Sequence, residues 1–213
     1  MNRITSKIGF IVFILCIIVF SALTFLLKHH HLGFIDTPIA DWLHAIRSSR
    51  LTPIMKAITF FGAGKVLMTI AIVISIYFIV FQRRPVAGVV FMICVIGSSY
   101  LFQDLKVIFH RPRPLDRLID IGGYSYPSGH ATMSTACYGM IAFLLYKYIK
   151  HQFNAFVWFF VIAGLWVLLI GASRVYLGVH YPSDVLAGMA VGGIWLLICV
   201  FTVNQLSPGL GRK

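Results

Sequence analysis

Charge is what this sequence has least of. Of its 213 residues, 11% are charged against 59% hydrophobic, and all six acids are aspartate. A soluble domain carries about 25% charged residues, so that class is excluded, and a mean hydropathy of +0.89 places the chain in a bilayer. Cysteine is scarce as well. Cys16, Cys94, Cys137 and Cys199 all fall inside apolar stretches, where they read as small packing residues and not as disulfides or zinc ligands. The apolar runs do not alternate with polar residues, which excludes a membrane barrel. The shortage of acids leaves a net charge of +12. Its bases are scattered over short connections, a pattern that favours anionic lipid over nucleic acid as partner.

What the chain has in quantity is hydrophobic length. A spanning helix needs about 20 mostly apolar residues. Six stretches qualify: Ile8 to Leu27, Val66 to Phe81, Pro85 to Leu105, Ala131 to Ile149, Asn154 to Gly171 and Val185 to Val203. The expected fold is an all-α integral membrane protein with six transmembrane helices, one domain over residues 1–213. The first stretch follows Arg3 and Lys7 like a signal peptide, but Leu26, Leu27 and Lys28 close it without a small-residue cleavage pattern, so a retained span is expected. Gly188 and Gly192 form a G-x-x-x-G spacing that suits close helix approach, within one bundle or between two copies.

If the spans alternate, Asp36, Asp41, Asp104, Asp116, Asp120 and Asp184 all fall on one side. The other side holds only bases, Arg3, Lys7, Arg83, Arg84, Lys147, Lys150, Arg212 and Lys213, in tails and tight turns. That is the cytoplasmic signature, so both termini are expected in the cytoplasm of a cell whose plasma membrane holds the chain. Between spans one and two, Asp36 and Thr37 precede Pro38 as a helix start, with Ile39, Trp42, Leu43 and Ile46 on one face. A short interfacial helix is expected there. His29, His30 and His31 are read as solvated, since consecutive side chains point in different directions.

Ionisable residues beside spans are expensive and ask for a reason. Here they gather at outer helix ends. Lys106 closes the third span, with Arg111 and Arg113 after it. Ser128, Gly129 and His130 open the fourth, Ser173 and Arg174 close the fifth, and His180 and Asp184 open the sixth. This inventory suits a phosphate. Phosphoryl transfer spreads negative charge over three oxygens, which Lys106 meets as a point charge and Arg113 and Arg174 as planar forks. Pro127-Ser128-Gly129-His130 reads as a helix start, with Ser128 as N-cap and unobstructed backbone N–H groups. Asp184, one turn from His180, fixes the tautomer that leaves the other ring nitrogen free to attack. His130 is then available to protonate the leaving oxygen.

These residues resemble the type 2 phosphatidic acid phosphatase superfamily. Its K-x6-R-P is similar to Lys106 through Arg113-Pro114, its P-S-G-H to Pro127 to His130, and its S-R-x5-H-x3-D to Ser173-Arg174, His180 and Asp184. The resemblance implies a six-helix fold and a metal-independent reaction without cofactor. It also implies a phosphohistidine at His180, protonation by His130, and phosphate binding by Lys106, Arg113, Ser128, Gly129 and Arg174. Arg111-Pro112 repeats the dipeptide of Arg113-Pro114, but only the second has the family spacing, so Arg111 is expected to be interfacial. His110 matches no motif position and is read as structural. Gly62-Ala63-Gly64-Lys65 looks like a nucleotide loop, yet Val66 stands where Ser or Thr is required and no strand precedes it.

The implied activity is hydrolysis of membrane lipid phosphates, with phosphatidylglycerophosphate, undecaprenyl diphosphate and phosphatidic acid as candidates. Transfer of the phosphate to another lipid would use the same residues. Soluble phosphate esters and vanadium haloperoxidase chemistry fit a small chain without large loops poorly. A transporter would place ionisable residues at mid-membrane, where this sequence has almost none.

Overall fold

A computed structural model describes residues 3–148 and 153–207, and every regular element among them is helical. The helices are α1 (Arg3–Lys28), α2 (Gly33–Ala45), α3 (Leu51–Phe60), α4 (Gly64–Ile76, prolonged by a π-helical turn Tyr77–Phe81), α5 (Pro85–Phe109), α6 (Gly129–Tyr148), α7 (Phe153–Tyr176) and α8 (Pro182–Leu206). Among the described residues, five segments are long and apolar enough to cross a membrane: Lys7–Lys28, Gly64–Phe81, Pro85–Phe109, Val157–Tyr176 and Pro182–Leu206. Ile149, the expected end of the fourth span, lies outside the described residues, as do Lys150, Arg212 and Lys213 of the charge argument.

The helix boundaries follow local chemistry. Pro85 and Pro182 each stand at the first positions of their helices, where a missing N–H costs nothing. Helix α5 ends because His110 adopts a left-handed conformation (φ 48°) and donates its N–H to the Lys106 carbonyl at 3.1 Å. Pro112 and Pro114 then forbid continuation. His110 is thus a helix terminator, its ring 4.5 Å from that of Tyr124, in keeping with its structural reading.

Helix α6 is the axis of the bundle, packed against α4, α5, α7 and α8. It is the most polar of the long helices, carrying Thr132, Ser134 and Thr135 among its inward residues, and its neighbours cover it. Between helices in lipid there is no hydrophobic driving force, so close approach of small residues does the packing. A Cβ on Gly188 would lie 2.5 Å from the Ser128 carbonyl oxygen, and one on Gly192 would strike the Thr132 carbonyl. The G-x-x-x-G spacing is therefore used inside the bundle, between α8 and α6. Cys94, Cys137 and Cys199 are buried thiols in the same core. Outward faces are apolar, as at Phe10, Phe81, Ile108 and Phe201.

The two ends of the bundle differ. At one, Arg84 lies 4.1 Å over the Tyr148 ring and Lys147 donates to Asn204 Oδ1 at 2.8 Å. At the other, α2, α3 and residues 110–128 cover the helix ends. Two expectations are corrected here. Helix α2 does not start at Asp36-Thr37 but at Gly33, with Asp36 in its first turn and Pro38 inside it. The buried side chain of Leu32, packed with Leu23 and Tyr126, fixes the entry of the chain, while the Asp36 side chain bonds elsewhere. The apolar face of α2 is also divided: Leu43 is buried against the bundle, whereas Ile39, Trp42 and Ile46 point outward. Helix α3 has no counterpart in the sequence reading. It is apolar but only 10 residues long, too short to span.

Candidate active site

The site is built where α5, α6, α7 and α8 end or begin on one face. His180 lies in the short connection between α7 and α8 and is 3% exposed. Asp184, four residues on, is the N3 residue of α8, and its Oδ2 accepts the Tyr181 N–H at 2.9 Å. The same oxygen faces His180 Nδ1 at 3.4 Å, while His180 Nε2 lies 3.2 Å from Arg113 Nη1. A guanidinium only donates. Nε2 must therefore be the acceptor in that contact, and the ring proton sits on Nδ1, toward Asp184. Burial first, then the charges of Arg174, Arg113 and Lys106, push His180 well below its ordinary pKa of 6.5, so the imidazole is neutral.

The three remaining cations converge from different elements. Lys106, in the last turn of α5, donates to the Tyr124 carbonyl. Arg113 donates Nε to the carbonyls of Gly122 and Gly123 at 3.2 and 3.1 Å and Nη1 to that of Val179 at 2.7 Å. Arg174, in the last turn of α7 and 2% exposed, donates to Thr59 Oγ1 at 2.9 Å, and its Nε has no partner among the described residues. Among the described residues none of the three forms an ion pair, although the Asp184 charge reaches Lys106 and Arg113. Burial holds the Arg113 guanidinium below its ordinary pKa, with Asp184 opposing and Arg117 assisting.

Ser128 is fully buried and caps α6, its Oγ 3.5 Å from the Ala131 N–H; its own N–H donates to the Asp184 backbone carbonyl at 2.9 Å. That bond joins the start of α6 to the start of α8. Gly129 passes so close to Phe102 that a Cβ would lie 2.7 Å from the ring, so no larger residue fits without moving it. His130 opens α6 within electrostatic reach of Arg174, His180, Arg113 and Lys106. The α3–α4 turn covers it: a Cβ on Gly62 would meet His130 Cδ2 at 3.0 Å. Gly62 and Ala63 thus form a tight inter-helix turn, and Gly64 and Lys65 open α4. All eight residues expected at the site are brought to one region.

Arg111 is the correction. It is not interfacial but 12% exposed, donating Nη1 to Asp184 Oδ1 at 2.6 Å and Nη2 to Asp36 Oδ2 at 2.6 Å. Burial weighs against its charge, but Asp184 and Asp36 outweigh it and hold the guanidinium above its ordinary pKa. The two RP arginines therefore divide by partner: Arg111 is matched by carboxylates, and Arg113 is left free for an anion. Sequence reasoning missed Asp36 and Arg111 as site residues. Only the burial of a scarce acid could have signalled them, and burial is not written in a single sequence.

A bundle of apolar helices with this constellation at one end defines a class. The pattern of the PAP2 superfamily matches residues 85–207, more than half of the chain, and the chain belongs to that superfamily. Phosphatidylglycerophosphatase B of Bacillus subtilis (strain 168) is 34% identical over 179 residues, 83% of this chain and 85% of that protein. Undecaprenyl-diphosphatase of Sulfolobus acidocaldarius is 26% identical over 137 residues, 61% of each chain. The crystal structure of a transmembrane PAP2 type phosphatidylglycerolphosphate phosphatase from Bacillus subtilis superposes with a TM-score of 0.80 at 27% identity, covering 90% of this chain and 96% of that one.

Proposed function

We propose that this protein hydrolyses phosphate from membrane lipid phosphates, with phosphatidylglycerophosphate, undecaprenyl diphosphate and phosphatidic acid as candidate substrates. The observation that carries this reading is the free positive charge of the site. Lys106, Arg113 and Arg174 rest on carbonyls and a hydroxyl around a neutral imidazole. Phosphate oxygens replace those neutral acceptors with a charge-assisted match. The names of the relatives support lipid phosphates as the substrate class.

In the mechanism, the Nε2 lone pair of His180 attacks phosphorus and the bond from phosphorus to the lipid oxygen breaks. His130 gives its proton to that oxygen, releasing the lipid alcohol, or the lipid monophosphate where the substrate is a diphosphate, and leaving phosphohistidine. His130, now a base, takes a proton from water as its oxygen attacks the same phosphorus. The phosphorus–nitrogen bond breaks, and inorganic phosphate leaves with His180 restored. Asp184 keeps the Nδ1 proton in place and balances the cationic ring formed on phosphorylation. No metal is required, because both carboxylates near His180, Asp184 and Asp36, are engaged by Arg111.

Purified protein given a panel of lipid phosphates should release phosphate from at least one of them in the presence of chelator. Loss of turnover in chelator and recovery with magnesium would overturn the metal-free mechanism. The acid side of the pH profile follows from the His180 shift. The ring must be neutral to attack, and its pKa is lowered, so it stays competent as pH falls through 6.5. After correction for the phosphate's own ionisation near pH 6, kcat/KM should show its enzyme-derived acid limb below 6.5. An enzyme-derived acid limb above that value would contradict the neutral ring.

The chain is read as one domain with six spans, α6 joining the five apolar segments as the fourth in chain order, shielded from lipid by its neighbours. Outward Ile39, Trp42 and Ile46 suit α2 to the membrane interface. Every aspartate lies at the site end or in its connections, and Arg83, Arg84 and Lys147 lie at the other. The site is therefore assigned to the outer face and both termini to the cytoplasm. An impermeant thiol reagent on intact cells should label a cysteine introduced at Gly122 and spare one at Gln82; the reverse pattern would invert the assignment.

A further inference from the structure

Behind the site, on the side of Asp184 away from His180, Arg111 joins three elements. Nη1 donates to Asp184 Oδ1 at 2.6 Å and to Ser183 Oγ at 2.7 Å, and Nη2 donates to Asp36 Oδ2 at 2.6 Å. Asp36 in turn accepts the Ser183 N–H on Oδ1 and the Ser183 hydroxyl on Oδ2, each at 2.9 Å. The guanidinium lies 4.1 Å over the Tyr181 ring. Asp184 is fully buried. Its Oδ1 is held by Arg111, and its Oδ2 is shared by the Tyr181 N–H and His180 Nδ1. A carboxylate stripped of water keeps its charge only against a cation, and Arg111 is the cation that touches it.

We propose that Arg111 and Asp36 are positioning residues for the hydrolysis: as one ion-paired unit they hold Asp184, and through it the His180 ring, in the tautomer and orientation from which Nε2 attacks. This rests on the phosphatase reading above. Arg111 spends its charge on carboxylates and is set against Asp184, whereas the phosphate cations face the imidazole. Asp36 is the only residue of α2 in the network. It fixes the fork of Arg111 on one side and the first turn of α8 on the other, so the short helix gains a role in catalysis beyond covering the bundle.

The test uses full-length protein in detergent, with initial rates on phosphatidylglycerophosphate and histidine labelled with 15N. The His180 ring resonances are identified by their loss in His180→Gln. Arg111→Met should lower kcat by roughly 10- to 100-fold, the loss typical when the outer partner that orients a metal-binding histidine is removed. KM should move by less than about threefold, because Lys106, Arg113 and Arg174 are untouched. The His180 nitrogens, one protonated and one bare in the wild type, should shift toward a mixture of tautomers. Asp36→Asn is nearly isosteric and carries the test should Arg111→Met not fold. It should lower kcat in the same way and add little on top of Arg111→Met, because the pair acts as a unit. The proposal is overturned if either folded variant keeps wild-type kcat, loses activity through KM, or leaves the His180 nitrogens unchanged. A wild-type protein inert on lipid phosphates, whose His180 tautomer still depends on Arg111, would sink the phosphatase reading and leave the positioning role standing.

Discussion

His180→Ala should reduce turnover of natural lipid phosphates and of activated aryl phosphates to background alike, with no acid-labile phosphoenzyme after a quench. The nucleophile is needed whatever the leaving group, so a better leaving group offers no rescue. Where nucleophile and base act as a unit, loss of the nucleophile costs on the order of 10⁶ in kcat. The residue of catalysis comes from binding alone, here from Lys106, Arg113 and Arg174. Because His180 is 3% exposed, the alanine also opens space beside Asp184. His180→Gln keeps much of the volume and should be equally inactive, with thermal unfolding close to wild type. Substrate should still bind to both variants. Retention of more than about one part in a hundred of wild-type turnover on the aryl ester would mean that another group attacks phosphorus.

The chemistry-bearing residues were legible because each motif is local and has a mechanical meaning. Ser128 could be read as the cap of α6 from Pro127-Ser128-Gly129 alone, and His180 with Asp184 from one turn of spacing before α8. Their convergence was also legible: Lys106, His130, Arg174 and Asp184 each stand at the same end of one of four spans, which puts the site at that end. The long helices followed from apolar length and the start of α5 from Pro85, whereas the sixth stretch was placed from Val185, one turn inside the start of α8 at Pro182.

What could not be read depends on long-range partners. Arg111 and Arg113 present the same dipeptide, and nothing local says which is neutralised. The difference is Asp36, 75 residues away in sequence from Arg111, and it exists only once α2 is folded onto α8. The start of α2 was misplaced for the same reason, because an aspartate that looks like a cap spends its oxygens on Ser183 and Arg111 instead. Helix α3 was invisible because ten residues are too few for a span and its anchor, Thr59 against Arg174, is again distant in sequence. The inward polar residues of α6 lower its apolarity below that of the other long helices, and this follows from its place on the bundle axis, where neighbouring helices and not lipid meet Thr132 and Ser134.

His130→Ala should separate the two halves of the reaction according to the leaving group. Protonating a poor alkoxide is worth roughly a hundredfold to ten-thousandfold, so lipid phosphates should lose that much in kcat. A nitrophenolate leaves with little proton assistance, and its phosphate should still reach His180, whose neighbours Asp184 and Arg113 are unchanged. The second half then lacks a base for water. Nitrophenyl phosphate should therefore give a burst approaching one nitrophenolate per enzyme, followed by slow turnover, with phosphohistidine accumulating where the wild type holds little. The charges on Lys106, Arg113 and Arg174 remain to bind the phosphate, and His130→Ala takes the ring away from beside Gly62 without adding an atom. If instead His130→Ala lost the aryl ester completely while His180→Ala retained it, the nucleophile would be on α6 and the acid between α7 and α8. The Arg113 contact to His180 Nε2 would then have to be read as activation of a proton donor.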